Sequence, residues 1–171
     1  MNDTPDLSGI SEAEIEDFLA YQEKVRDTNI NEQTLLATDY LNHFNEIVMT
    51  LEMIPDMPEL LEDAREWQPK GYQAHLLDST FSDRELAAEA YNHVPGKFRD
   101  PFEQTIAQID SLIATTIDRL EGDLAQGNMD LVRENATALS RVIQRLMDVA
   151  GGIINGSAKT MEQSEIDILI G

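Results

Sequence analysis

The side chains best suited to chemistry in this chain are its three histidines and the carboxylates spaced around them. Asp39, His43 and Glu46 stand at i, i+4 and i+7, which puts all three on one face if the segment is a single helix. Glu89 and His93 repeat the i, i+4 relation. Imidazole and carboxylate groups on one helix face suit transition metals, so Asp39, His43 and Glu46 are candidate metal ligands. Against that stands the absence of a Glu-x-x-His pair, the mark of carboxylate-bridged di-iron bundles. The plainer account is a half-buried imidazole supported by a neighbouring carboxylate. The expectation is no metal and no cofactor.

Composition removes most other chemistry. With no cysteine there is no disulfide, no thiol nucleophile and no thiolate metal site. Gly151-Gly152 follows a helical run rather than a strand, so it is not a phosphate-binding loop. No serine stands in a constellation with a base and an orienting acid. Enzymatic chemistry is therefore not the first expectation. The 33 acidic against 12 basic side chains give a formal net charge of −21. Such a field repels phosphate backbones and anionic lipid, so neither nucleic acid nor a membrane surface is an expected partner. No apolar run approaches the ~18 to 20 residues that span a bilayer. Met1–Ile10 is polar and acidic and lacks the basic-then-apolar order of a secretory signal. A cytoplasmic location follows as an expectation.

Helices must position whatever function there is. A chain of 171 residues suits one domain with one core. Ser11 and Glu14 form a capping box opening a helix that runs to about Asp27, with Ile15, Phe18, Leu19, Gln22 and Val25 on one face. Leu36, Tyr40, Leu41, Phe44, Ile47, Val48 and Leu51 recur at helical steps, which predicts a helix over Asn31–Met53 ended by Pro55. A short helix from Pro58 to Trp67 follows, and Ser82 with Glu85 makes a second capping box for a helix to about His93. Asp100 reads as an N-cap with Pro101 in the first helical position. From there Phe102, Ile106, Ile109, Ile113, Ile117, Leu120 and Leu124 form one apolar stripe. Gly127 supplies a left-handed residue in a turn over Ala125–Asn128, and Asn128 caps a return helix carrying Leu131, Val132, Ala136, Leu139, Val142, Ile143, Leu146 and Val149 inward.

The predicted fold is all-α, a helical bundle built on a long antiparallel helix hairpin with shorter helices packed on it. Residues 1–10 read as a flexible arm, 11–154 as the bundle, and 155–171 as a linker with an amphipathic C-terminal segment. Heptad-like spacing in the hairpin points to self-association as a homodimer.

The C-terminal segment is the most distinctive stretch. Glu165, Ile166, Asp167, Leu169 and Ile170 make an acidic amphipathic surface of the kind that docks in a partner's groove. The same periodicity serves a terminal helix packing on its own bundle. Gln163-Ser164-Glu165-Ile166-Asp167, followed by Leu169, resembles the short segment of flagellar motor switch proteins that binds the phosphorylated chemotaxis response regulator. Ser11–Leu19 is similar, with Glu12 in place of glutamine and Glu16 in place of aspartate. The resemblance covers a short stretch at each end, and the mixed α/β domain of that family has no counterpart in the helical middle. It implies a response regulator as the protein partner.

Hairpin, linker and terminal helix together are also similar to the chemotaxis phosphatase that acts on the same regulator. That likeness implies a helix-borne glutamine that positions the attacking water, with an acidic residue four positions earlier. Asp100 and Gln104 have this spacing, although Asp100 stands at an expected helix start. His75, in Ala74-His75-Leu76-Leu77, is similar to the phosphorylated histidine of phosphotransfer bundles, but Leu77 and Asp78 replace the lysine and glycine of that family. The expected function is a non-enzymatic adaptor or regulator in chemotaxis or motility signalling. The alternatives are a response-regulator phosphatase and a carboxylate–histidine metal bundle.

Overall fold

Two helices of 30 and 26 residues, α6 (Gly96–Ala125) and α7 (Met129–Ile154), fold back on each other and make the most extensive packing in the molecule. The structure, a computed structural model, describes residues 10–157 and 159–171. The arm expected over residues 1–10 lies outside them, Ile10 apart. The hairpin turn forms as its residue types require. Gly127 takes a φ of 71°, and the Asn128 side chain accepts the Leu131 N–H at 3.1 Å. Ile109, Ile113, Ile117 and Leu120 of α6 are buried with Val132, Ala136, Leu139, Ile143 and Leu146 of α7. Each such side chain contributes roughly 1.5 to 3 kcal/mol before chain entropy is subtracted. Near the turn, buried Asp123 is satisfied from the opposite helix by Asn135 Nδ2 at 2.7 Å.

Around this hairpin stand α1 (Glu12–Val25), α2 (Asn42–Met53), α3 (Leu60–Glu66), α4 (Tyr72–Asp78), α5 (Arg84–Tyr91) and α8 (Gln163–Ile170). α2 lies on α7 and α3, α3 on α6, α4 on α5, α1 on α5, and α8 on α7. Among the described residues there is no strand, and no helix is long and apolar enough to cross a membrane.

Besides α3, which opens at Leu60 rather than Pro58, three helix starts differ from the sequence expectation. α6 begins at Gly96, so Asp100 is inside the helix rather than its cap. The Gly96 N–H finds its partner in the Glu14 carboxylate at 3.2 Å, and Pro101 falls in the second turn. A distant carboxylate thus replaces the local cap, and it suits the positive end of the α6 dipole. α5 opens at Asp83 with no side-chain cap, so the Ser82–Glu85 box does not form.

The third difference is larger. Helix over Asn31–Met53 holds only from Asn42, preceded by a 3-10 turn at Thr38–Leu41. Upstream, polar side chains bond backbone N–H groups two residues ahead. Thr28 accepts from Ile30 at 3.1 Å, Asn31 from Gln33 at 2.7 Å and Thr34 from Leu36 at 3.3 Å. Threonine and asparagine compete with helix in this way. Leu35 is held at a φ of 66° with its side chain fully buried. The apolar stripe survives the change: Leu36, Tyr40, Phe44, Ile47, Val48 and Leu51 are all buried.

Thr34 also donates its hydroxyl to the Ile154 carbonyl at 2.6 Å, tying this irregular segment to the end of α7. Thr34→Val keeps the shape and removes both hydrogen bonds in a buried place. It should lower stability by about 1 to 3 kcal/mol, measured by urea unfolding.

Candidate functional site

The C-terminal segment is a docked helix. Met161 and Ile166 are buried against the bundle and Ile170 partly so. Two α6 side chains secure its ends. Gln108 Nε2 donates to the Met161 carbonyl at 2.9 Å, and the Arg119 guanidinium donates to the Ile170 carbonyl and, at 3.0 Å, to the Gly171 carbonyl. A cation at the carbonyl end of a helix complements its dipole. Gln108 and Arg119 sit three turns apart on one face of α6, a spacing matched to the length of α8.

Docking divides the five residues singled out in this segment. Ile166, 2% exposed, and Ile170 turn to the bundle, while Glu165, Asp167 and Leu169 stay accessible. Ile168, which sequence reasoning passed over, is 80% exposed, and Leu169 is 44% exposed. The available signal was that Ile168 is apolar yet off the stripe of Ile166 and Ile170. The similar N-terminal stretch is the start of α1. Ser11 accepts the Glu14 N–H at 3.3 Å, Phe18 is fully buried, and Glu14 serves Gly96.

Asp100 and Gln104 are both exposed, one turn apart on α6. The metal-ligand face is broken, because Asp39 belongs to the 3-10 turn, His43 to the first turn of α2, and Glu46 faces solvent. Among the described residues no group of three or more histidine or acidic side chains is placed to hold a metal ion. His43 instead stacks on Trp67, ring centres 4.8 Å apart, and lies 5.2 Å from the His75 ring. Burial, aided by His75 and Lys70, pushes the His43 imidazole down to about 4, and its buried Nε2 has no hydrogen-bond partner. His93 stacks on Tyr21 at 4.0 Å and faces Asp17 at 3.6 Å, while Glu89 takes the Tyr21 hydroxyl at 2.5 Å. His93 is a structural residue of the α1–α5 contact.

The structure also forms a cleft that sequence reasoning missed. About 350 Å³ in volume, it lies between α6 and the segment joining α3 to α4, walled by Tyr40, Tyr72, Tyr91 and Phe102. Glu103 and Asp110 line it from α6. Asp110 is half-buried, with one carboxylate oxygen fully buried and without a partner. Burial raises its carboxyl to about 6. These residues come from four separate stretches, so no local motif announces them.

Asp110 and His43 act oppositely on stability. Asp110 is raised from 3.8, so its folded form keeps a proton that the unfolded chain loses, and stability falls as pH rises from 3.8 to about 6. His43 is depressed from 6.5, so stability falls as pH drops from 6.5 to about 4. Asp110→Asn removes the first effect. It should stabilise the fold by on the order of 1 kcal/mol near pH 8, after allowance for solvent screening, with little change near pH 4. Urea unfolding at the two pH values checks this. No protein-family model, curated protein or solved structure matches the chain, so the likenesses named above rest on the residues quoted for them.

Proposed function

We propose that this protein is a non-enzymatic adaptor or regulator that receives a protein partner on the outer face of α8. The carrying observation is the exposure of Ile168 and Leu169, beside exposed Glu165 and Asp167, on a helix whose other face and both ends are secured to the bundle. Large apolar side chains displayed beside carboxylates suit a partner with an apolar groove and a basic rim. A net charge of −21 speeds encounter with such a surface. Because α8 is already folded, binding does not bear the ordering cost of a free tail. The motif resemblance suggests a phosphorylated response regulator in motility signalling as the partner. A second copy of this chain is the competing occupant.

The phosphatase reading keeps one supporting observation: Asp100 and Gln104 face solvent within α6 instead of being spent on a cap. In that reading Gln104→Ala abolishes stimulated dephosphorylation of the regulator while leaving its binding intact.

Replacing both Ile168 and Leu169 by serine should weaken capture of the phosphorylated regulator by about tenfold or more, with the helical circular dichroism unchanged. Undiminished capture by the double variant would remove α8 as the docking face. Light scattering on the same samples separates a regulator from a second copy of the chain.

A further inference from the structure

The cleft beside α6 has walls held in position before anything enters. The Tyr40 hydroxyl donates to the Lys70 carbonyl at 2.6 Å, the Tyr72 hydroxyl accepts the Ala37 N–H at 2.8 Å, and the Tyr91 hydroxyl donates to Glu103. Each polar tip is thus occupied; the buried rings of Tyr40, Tyr72 and Phe102 form the floor of the cleft, and half-buried Tyr91 is the ring open to it. Ring packing fixes them further, with Tyr72 stacked on Tyr91 at 4.7 Å and edge-on to Phe102 at 5.7 Å. Aromatic surface of this kind attracts cations through the ring quadrupole.

Charge points the same way. Asp110 holds an unpartnered, fully buried carboxylate oxygen at this cleft, and Glu103 adds a second carboxylate at the rim. The one lysine along the wall, Lys70, pairs its ammonium with Asp78. A buried acceptor with no donor is costly, and a ligand that donates to it or neutralises it recovers that cost. An anion would meet two carboxylates, and a neutral apolar molecule would leave Asp110 unpaired. Asp110 and Pro69 also line an adjoining cleft of about 180 Å³ with Trp67, Ile113 and Ile117, which gives room for an apolar body; Arg65 at its edge is paired with Asp118 and Glu121.

We propose that this cleft is a binding site for an organic cation, an ammonium group on a small apolar body, with Asp110 as its counter-ion, the Tyr91 ring as the aromatic face open to it and the buried rings of Tyr40, Tyr72 and Phe102 as its floor. This site is separate from the α8 face, and neither depends on the other.

The test titrates the full chain with choline and with its uncharged carbon isostere, 3,3-dimethylbutan-1-ol, following aromatic proton resonances at fixed ionic strength. Choline should saturate below about 10 mM and bind about tenfold or more tighter than the alcohol. Asp110→Asn should abolish that preference. Asp130→Asn, an equal charge change at the exposed start of α7, should leave it intact. Glu103→Gln, at an exposed position, should weaken choline by about threefold and serves if the Asp110 variant does not fold. Equal binding of the two probes, no saturation by choline, or equal losses in the Asp130 and Asp110 variants would overturn the proposal. The last of these would mean that the net charge alone gathers cations.

Discussion

Continuous helix through α6 is the constraint on which the other parts depend. Its faces serve different neighbours at once. Ile109, Ile113, Ile117 and Leu120 close the seam with α7. Glu103, Ile106, Ala107 and Asp110, at steps of three and four, form one wall of the aromatic cleft. Gln108 and Arg119 reach out to the two ends of α8. A break in the middle of α6 would turn these residues away from one another, because each added residue rotates the face by about 100°. The second-turn position of Pro101 matters in this light. There it removes one i→i−4 hydrogen bond, to the Lys97 carbonyl, but it lies ahead of all three surfaces, whereas a few turns later it would divide them.

The short helices show how little local propensity decides here. α3 and α4 have seven residues each, well under the length at which isolated helices persist in water. They are held by aromatic contacts and by single polar bonds over long sequence separations. Tyr40 is fully buried, packs on Phe44, Tyr72 and Phe102, and reaches the Lys70 carbonyl between α3 and α4. Tyr72 reaches back to the Ala37 N–H. Few aromatics are present, and half of the Phe, Tyr and Trp residues meet at this junction of α2, α4, α5 and α6. Surface ion pairs such as Arg133–Asp56 add little by comparison, since both partners are largely in water.

Function and fold place different demands on polar groups in this bundle. Asp123 and Thr34 are buried polar side chains with partners, and they specify how the elements meet. Asp110 departs from that pattern, as Ser140 and His43 do, because its buried atom has no partner to offset the desolvation. α8 shows a related contrast: Ile166 is spent on the core, whereas Ile168 and Leu169 keep much of their surface in solvent.

The sequence by itself determined the all-α class, the hairpin with its Gly127–Asn128 turn, and most inward-facing residues. Those features rest on periodicity and on capping between residues a few positions apart, and such interactions are complete within a local stretch. Only the tertiary structure decided where α6 starts, because its first N–H is satisfied by Glu14, far away in sequence. Only it decided that residues 31–37 are not helix, because Thr34 answers to Ile154 as well as to its neighbours. It also set which face α8 shows, and it gathered the aromatic cleft from segments without a shared motif. An amphipathic helix has one stripe by its sequence, but packing chooses what that stripe meets. The side chains left over are then the ones free to meet something else.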